Sequence, residues 1–372
     1  MKKKNLLIFY PSFERGGVEE NIKNLVNNFS EKIDIHFVSS ISKKKANSIF
    51  RKKIKIYNIQ KKKFLFFLPS RINLAISATT VFFKLISKLK KKNLIIHSMQ
   101  SNVVAILVCI IQRVKIVIRN SEDPIYSTFY SEKKLISYII FLSKIIFYNF
   151  CSSIITNSKG SKNSLEKFVI NKNNIRAIYN PYLKKINSQR YKKNDFIVNV
   201  GRFRKQKNQI LLVRSFQEFL KKNKNFKLVL VGDGILRKNI ENEIQNLNLN
   251  KHVILKGWVN NPLKYIRKSK LFVLTSLYEG LGNVLIDAIN HDVPCISTSC
   301  KSGPNEILLN GKGGYILKNN SVTELSKTMS YCIKNYDKAK KKNKISKLFL
   351  RRFLMKDRVK EYENFLIKFE NN

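Results

Sequence analysis

Short apolar runs recur along the first half of the chain, spaced widely enough to leave room for a helix between neighbours. Asn5–Tyr10, Ile35–Ser39, Leu94–His97, Lys115–Arg119 and Ser153–Asn157 have the length and aliphatic character of buried strands. Gly17–Phe29 and Ser101–Ile111 carry the 3.6-residue spacing of helices. This alternation predicts a parallel sheet with helices on its faces. A second series, Phe196–Gly201, Lys227–Val231, Val253–Lys256, Leu271–Thr275 and Pro294–Ser297, repeats the pattern. The polar, basic stretch Lys184–Asp195 separates the two series and has the composition of an interdomain linker. The expected architecture is therefore α/β, with two Rossmann-like domains over 1–185 and 195–350. Leu348–Asn372 places Phe349, Phe353, Val359, Tyr362, Phe365 and Ile367 at roughly helical spacing. That predicts an amphipathic terminal helix, with 351–372 packing back onto the first domain. Ligands in such sheets bind beyond the carboxyl ends of the strands, so the interdomain cleft is the expected site.

Two stretches are more apolar than their surroundings. Val103–Ile111 is the longest uninterrupted run, and Leu135–Phe150 is interrupted by Lys144. Both fall short of the ~18 apolar residues of a spanning helix, so both are expected as buried elements of a globular domain. The N-terminal run before Pro11 is likewise too short for a secretion signal and fits a first strand.

Composition changes this picture in one respect. With 372 residues and 44% hydrophobic content, the chain can bury two ordinary cores, but its 72 Lys and Arg face only 24 Asp and Glu, a net charge of +48. AT-rich coding favours Lys, Asn and Ile, yet it does not explain the shortage of carboxylates. The balance points to an anionic partner: nucleic acid, anionic lipid or a phosphorylated small molecule. Five scattered cysteines with no Cys-x-x-Cys pair argue against a disulfide framework or a zinc site, and the four histidines lack metal-ligand spacing. No metal and no resident cofactor is expected.

Candidate chemistry gathers at strand ends. Arg15-Gly16-Gly17 follows the first strand, where a glycine pair lets backbone amides approach a ligand. Gly201-Arg202-Phe203-Arg204-Lys205-Gln206-Lys207-Asn208 delivers four cations beyond the first strand of the second domain. Arg grips a phosphate with paired hydrogen bonds and Lys adds a point charge, so two such groups can neutralise a diphosphate without a divalent metal. Gly232-Asp233-Gly234 gives close backbone approach at the next strand end, or a turn whose Asp caps a helix. The most specific stretch runs from Ser276 to Asn290. It sets Glu279 before a turn of Gly280, Gly282 and Asn283, with a helix beginning near Val284 and Asp287 on its first turn. Free amides at that helix start suit an anion, and the two carboxylates can bracket a polyhydroxylated ligand.

Together these residues resemble glycosyltransferase family 4, whose loop carries two Glu separated by seven residues. Here Glu279 and Asp287 have that separation. Gly201 to Asn208, the Gly-Asp-Gly turn, the early Gly-Gly loop and Pro294–Leu308 fall in the family's order. The resemblance is strong over Asn199–Leu308, loose over Phe29–Asn180, and closest to members that build bacterial surface polysaccharides. It implies the GT-B arrangement, with the two parallel sheets facing across the cleft, and transfer of a sugar from a nucleotide donor with retained configuration. Arg202 and Lys207 would hold the donor diphosphate, Glu279 the transferred sugar and Asp287 the ribose hydroxyls. Gly282, Asn283 and Val284 would offer amides to sugar and phosphate, Gly16 and Gly17 would meet the phosphates from the other domain, and Gly232 would lie beside the nucleotide. The loop from Gly257 would lie near the base. The implied partners are a nucleotide-sugar donor, expected as a UDP-sugar, and a lipid-linked or saccharide acceptor. On the acceptor side, His97, Arg119 and Asn120 are the candidates. The family often has a His near Val117–Pro124 and this chain has none, while His97 could equally be a strand-end His satisfied by backbone.

Lys61–Arg71 and Val81–Lys92 mix aromatics with lysines and could lie in an anionic membrane interface, consistent with a cytoplasmic, peripheral location. An ordinary core-facing helix with a wet basic edge has the same pattern. Two rivals remain open: a basic nucleic-acid-binding protein, and an inactive membrane-associated relative. No zinc knuckle, ribonucleoprotein pattern or helix-turn-helix signature supports the first, and no nucleic-acid partner is expected.

Overall fold

The structure is a computed structural model that describes residues 3–14, 16–63, 66–89 and 93–371. Arg15 of the glycine turn, Phe64 and Leu65, residues 90–92 of the basic segments, and the chain ends 1–2 and 372 lie outside the described residues. The chain divides into two compact units, one of residues 1–184 with 352–372 and one of 185–351.

In the first unit the chain alternates strands and helices: β1 (Lys4–Phe9), α1 (Gly17–Asn28), β2 (Ile33–Ser39), α2 (Lys43–Ile49), β3 (Lys55–Asn58), α3 (Ser70–Leu89), β4 (Leu94–Ser98), α4 (Asn102–Gln112), β5 (Val117–Asn120), α5 (Pro124–Phe129), α6 (Lys134–Phe147), β6 (Ser153–Thr156), α7 (Lys159–Leu165) and β7 (Ile175–Ala177). The strands form one parallel seven-stranded sheet in the order β3-β2-β1-β4-β5-β6-β7. The order reverses between β1 and β4. The period-2 alternation of β1 sends Leu7 and Phe9 to one face, where Ala78, Phe82 and Ile86 of α3 and Ile106 and Cys109 of α4 cover them.

The second unit repeats the theme with β8 (Asn194–Val200), α8 (Gln209–Leu220), β9 (Lys227–Val231), α9 (Arg237–Asn246), β10 (Val253–Leu255), α10 (Leu263–Ile266), β11 (Ser269–Leu274), α11 (Asn283–Asn290), β12 (Cys295–Ser297), α12 (Pro304–Ile307), β13 (Tyr315–Ile316), α13 (Val322–Lys334) and α14 (Tyr336–Leu348). Its six strands are parallel in the order β10-β9-β8-β11-β12-β13, reversing between β8 and β11. One continuous core joins Ile197, Leu228, Leu271 and Ile296 of the sheet to Phe216 of α8 and Met329 of α13.

The last helix, α15 (Met355–Ile367), belongs to the first unit. Its Val359, Tyr362 and Leu366 pack with Ile22 and Leu25 of α1 against Leu6 and Ile8, on the face opposite α3 and α4. Beyond it, Asn371 amide and carbonyl groups tie to Leu94.

Three expectations change. The short edge strands β3, β7 and β13 were not anticipated; they are two to four residues long, too brief for a pattern to show. The stretch 185–193 is held along the second unit instead of hanging as a linker: Asn187 N donates to Asn290 Oδ1 at 2.9 Å, and Lys193 Nζ donates to the carbonyls of Arg267 and His291. Most tellingly, Leu135–Phe150 is not a buried element over most of its length: α6 contains no buried residue, and Tyr148 just beyond it enters the core. Among the described residues one helix, α3, is long and apolar enough over Ile72–Leu89 to cross a membrane, but half of that window is buried in the unit's core.

Candidate active site

The carboxyl ends of β8 and β11 lie side by side because those strands pair at the point where sheet order reverses. That is where an open α/β sheet leaves a crevice. Gly201 follows β8, and the chain then runs through Arg202 and the fully buried Phe203 into a short turn, Lys205–Lys207. Thr275 and Ser276 follow β11 and lead to Glu279.

The two segments are sewn together by backbone and side chain. Leu277 N donates to the Gln206 carbonyl at 2.8 Å, Gln206 Nε2 to the Tyr278 carbonyl at 3.0 Å, and Thr275 Oγ1 to the Lys207 carbonyl at 2.9 Å. Lys207 Nζ thereby meets Glu279 Oε1 at 2.5 Å. Ser276 Oγ donates to the same oxygen at 2.6 Å, and Ser302 Oγ holds the Glu279 carbonyl at 2.6 Å. Glu279 is only 6% exposed, so its charge is compensated by Lys207 and the Ser276 hydroxyl and not by water. Sequence reasoning singled out Lys207 and Glu279 but passed over Gln206, Thr275, Ser276 and Ser302. Their one sequence signal is a position beside a strand end.

Gly201 leaves the groove over which the Lys207 stem passes; a Cβ there would lie 3.5 Å from the lysine methylenes. Gly232 is needed for a different reason. At φ +145 a Cβ on it would come within 2.0 Å of the Gly201 carbonyl oxygen, so no side chain fits where β9 ends against β8. Asp233 accepts from Gly234 N and Arg237 Nη1, which fixes the turn without capping α9. Among the described residues the Arg202 guanidinium has no ion-pair or hydrogen-bond partner, whereas its carbonyl accepts from Gln209 Nε2.

Helix α11 starts at Asn283 after Gly282, which holds φ +86 and brings no side-chain cap. No acidic residue lies in its first turn, so the positive end of its dipole carries no carboxylate of its own first turn. Asp287, expected on the first turn, lies one turn further in, and is nearly buried. The 257–261 loop leaves Trp258 half exposed. In the other unit, Gly16 is extended and precedes α1, and a Cβ at Gly17 would meet nothing within 4 Å. Among the described residues no three His, Cys, Asp or Glu side chains gather as metal ligands.

The acceptor-side candidates require correction. His97 is buried, with Nδ1 on the Val117 carbonyl at 3.0 Å and Nε2 on Tyr362 Oη at 2.8 Å. Burial, despite that carbonyl bond, drops its pKa to about 3 with a further push from Arg119, so the ring is neutral. Arg119 donates to Tyr362 Oη at 3.0 Å and to Asn180 Oδ1, and Asn120 donates to the Glu122 carbonyl. All three side chains are buried in the first unit: His97 and Arg119 join β4 and β5 to α15, Arg119 also reaches the segment after β7, and Asn120 closes a local turn.

Two families match in succession: "Glycosyltransferase Family 4" over residues 15–182 and "Glycosyl transferases group 1" over 183–348. The chain is also 33% identical over 280 residues to an uncharacterized glycosyltransferase of Methanocaldococcus jannaschii, covering 70% of this chain and 67% of that one. The chain belongs to the family 4 glycosyltransferases. A further relative of this transferase is the N-acetylgalactosamine-N,N'-diacetylbacillosaminyl-diphospho-undecaprenol 4-alpha-N-acetylgalactosaminyltransferase of Campylobacter jejuni, 34% identical over 185 residues, 47% of this chain and half of that protein. Among solved structures, HepE of Anabaena in complex with UDP and glucose superposes with a TM-score of 0.78 at 16% identity, covering 98% of this transferase and 100% of HepE. The fold is GT-B.

Proposed function

We propose that this glycosyltransferase moves a sugar, with retained anomeric configuration, from a UDP-sugar to a lipid-linked or saccharide acceptor in surface-polysaccharide assembly, working peripherally at the cytoplasmic face of a membrane. The observation that carries the reading is the Lys207–Glu279 pair held at the ends of neighbouring strands, with Arg202 on the same segment as Lys207 and the start of α11, whose first turn has no acidic residue, following Glu279. The lipid diphosphate in the name of the Campylobacter relative and the UDP and glucose bound by HepE support the choice of acceptor and donor class.

In this reading Arg202 and Lys207 neutralise the diphosphate as the bond from the anomeric carbon to phosphate oxygen breaks. The acceptor hydroxyl attacks from the same face, and its proton passes to the departing phosphate oxygen. No protein nucleophile and no metal is required, and the protein chiefly positions and neutralises. Glu279, oriented by Ser276 and Lys207, receives the sugar hydroxyls, and Asp287 serves the ribose.

A panel of nucleotide sugars with slow donor hydrolysis followed in parallel tests this. One UDP-sugar is expected to bind selectively, and the product anomer read by NMR keeps the donor configuration. An inverted product removes the mechanism. Binding of DNA with no response to any nucleotide sugar removes the whole reading.

A further inference from the structure

Helix α6 combines a core composition with a surface position. It is apolar over most of its circumference, with Ser137 and Lys144 on one narrow side, a composition that ordinarily belongs inside a protein or a membrane, yet none of its residues is buried. Leu135 (74% exposed), Ile139, Leu142 and Ile146 (57–58%) recur at helical spacing and form one outward stripe. Beside α6 packs α4, whose Leu107, Ile110 and Ile111 are exposed; beside α4 packs α3, which exposes Ile72, Ile76 and Phe83. The three helices make one apolar layer, where a monomer surface usually shows apolar residues singly.

Cations rim this layer. Lys133 and Lys134 open α6, Lys144 lies near its end, and Lys84 and Lys88 lie on the exposed side of α3. Lys134 Nζ sits 5.2 Å over the ring of exposed Phe129, and Arg113 and Lys115 line a pocket with Ile110 and Phe150. Glu370 shares that pocket but is paired with Lys4, and Glu132 stands just before α6. The three helices themselves carry no carboxylate, and between Asp34 and Glu122 the chain has nineteen Lys and Arg and no Asp or Glu. A second copy of this face would bring like charges together, whereas an anionic bilayer complements both the aliphatic centre and the cationic rim.

We infer that the α3–α4–α6 layer is the membrane-docking face, with α6 lying in the plane of an anionic bilayer. Its Leu and Ile side chains enter the acyl boundary, and its lysines rest on lipid phosphates. The assignment rests on and deepens the membrane-side reading of the proposed function by adding α4 and α6 to the expected 81–92 segment, most of which lies in α3.

Flotation with vesicles of phosphatidylglycerol in phosphatidylcholine, compared with phosphatidylcholine alone, tests it on the full chain. Wild type is expected to float with the anionic vesicles only. The triple variant Leu135→Ser, Ile139→Ser, Leu142→Ser is expected to lose at least about tenfold in partitioning. It should keep its melting temperature and donor hydrolysis, because the three positions are exposed. Since all five native cysteines are buried, Leu142→Cys can carry a polarity-sensitive fluorophore, which should shift to the blue on anionic vesicles. Unchanged flotation of the triple variant, or no blue shift, overturns the assignment of this face while leaving membrane attachment standing. Failure of wild type to float overturns both, and donor hydrolysis then shows whether the transferase reading survives. A wild-type dimer that the triple substitution makes monomeric, with no vesicle binding, assigns the face to a second copy and overturns the proposal.

Discussion

The ends of β8 and β11 in the second unit and the ends of β4 and β5 in the first are both ends of neighbouring parallel strands, yet their charged residues are held in opposite ways. After β8 and β11 the chain turns through glycines, and Lys207 meets Glu279. At β4 and β5 the corresponding groups, His97 and Arg119, are sealed by Tyr362 of α15, which is within hydrogen-bonding distance of both. A strand-end cation is therefore left at a strand-end loop or built into the core according to what covers it. The cover in the first unit comes from a helix more than two hundred residues away in sequence.

The contrast can be broken most severely at the second unit. Lys207→Ala and Glu279→Gln are each expected to lower transfer by about a hundredfold or more with the fold retained. Steady-state kinetics beside a melting curve separates the two effects, and a kcat that survives either change would move the chemistry away from this pair. At the first unit the expected pattern is the reverse. Arg119→Ala leaves Tyr362 and Asn180 without their buried donor, so stability should fall by about 3 kcal/mol while kcat of the molecules that remain folded changes little. Denaturant midpoints and active-fraction kinetics measure this, and a pure activity loss would return Arg119 to the acceptor.

A third effect sharpens the same point through pH. Unfolded, the His97 ring takes a proton near 6.5, whereas in the fold burial holds that step down to about 3. Between those values the unfolded chain binds a proton that the folded chain refuses. Stability from His97 is thus complete above about pH 6.5 and is lost toward pH 3, by up to about 1.4 kcal/mol per pH unit. His97→Gln should therefore flatten the fall of melting temperature between pH 6.5 and pH 4. An unchanged slope would mean that the ring is already protonated in the fold.

Much of this was legible in the chain. The alternation of apolar runs with helical segments gave both sheets, and the boundary near 185 showed in composition. Lys207 and Glu279 could be picked out because strand-end cations and an acidic residue before a glycine turn have few other uses in combination. Ser276 and Ser302 could not, because a serine beside a strand end is common and only its distance to Glu279 distinguishes it. Asp287 was placed a turn too early because the helix start depends on Gly282 adopting φ +86, which composition alone does not show. Leu135–Phe150 misled for a deeper reason: hydrophobicity says that a segment avoids water, not what shields it.

By itself the sequence determined the local facts: which runs are strands, where the chain turns, which residues carry charge, and that the charge is overwhelmingly positive. Those follow from side-chain periodicity and backbone freedom, which act over a few residues. The tertiary structure alone decided that Lys207 reaches Glu279, that α15 seals His97 and Arg119, and that α6 is left uncovered. Each of these depends on which distant segments share a face of a sheet, and packing settles that between elements whose separation no local pattern records.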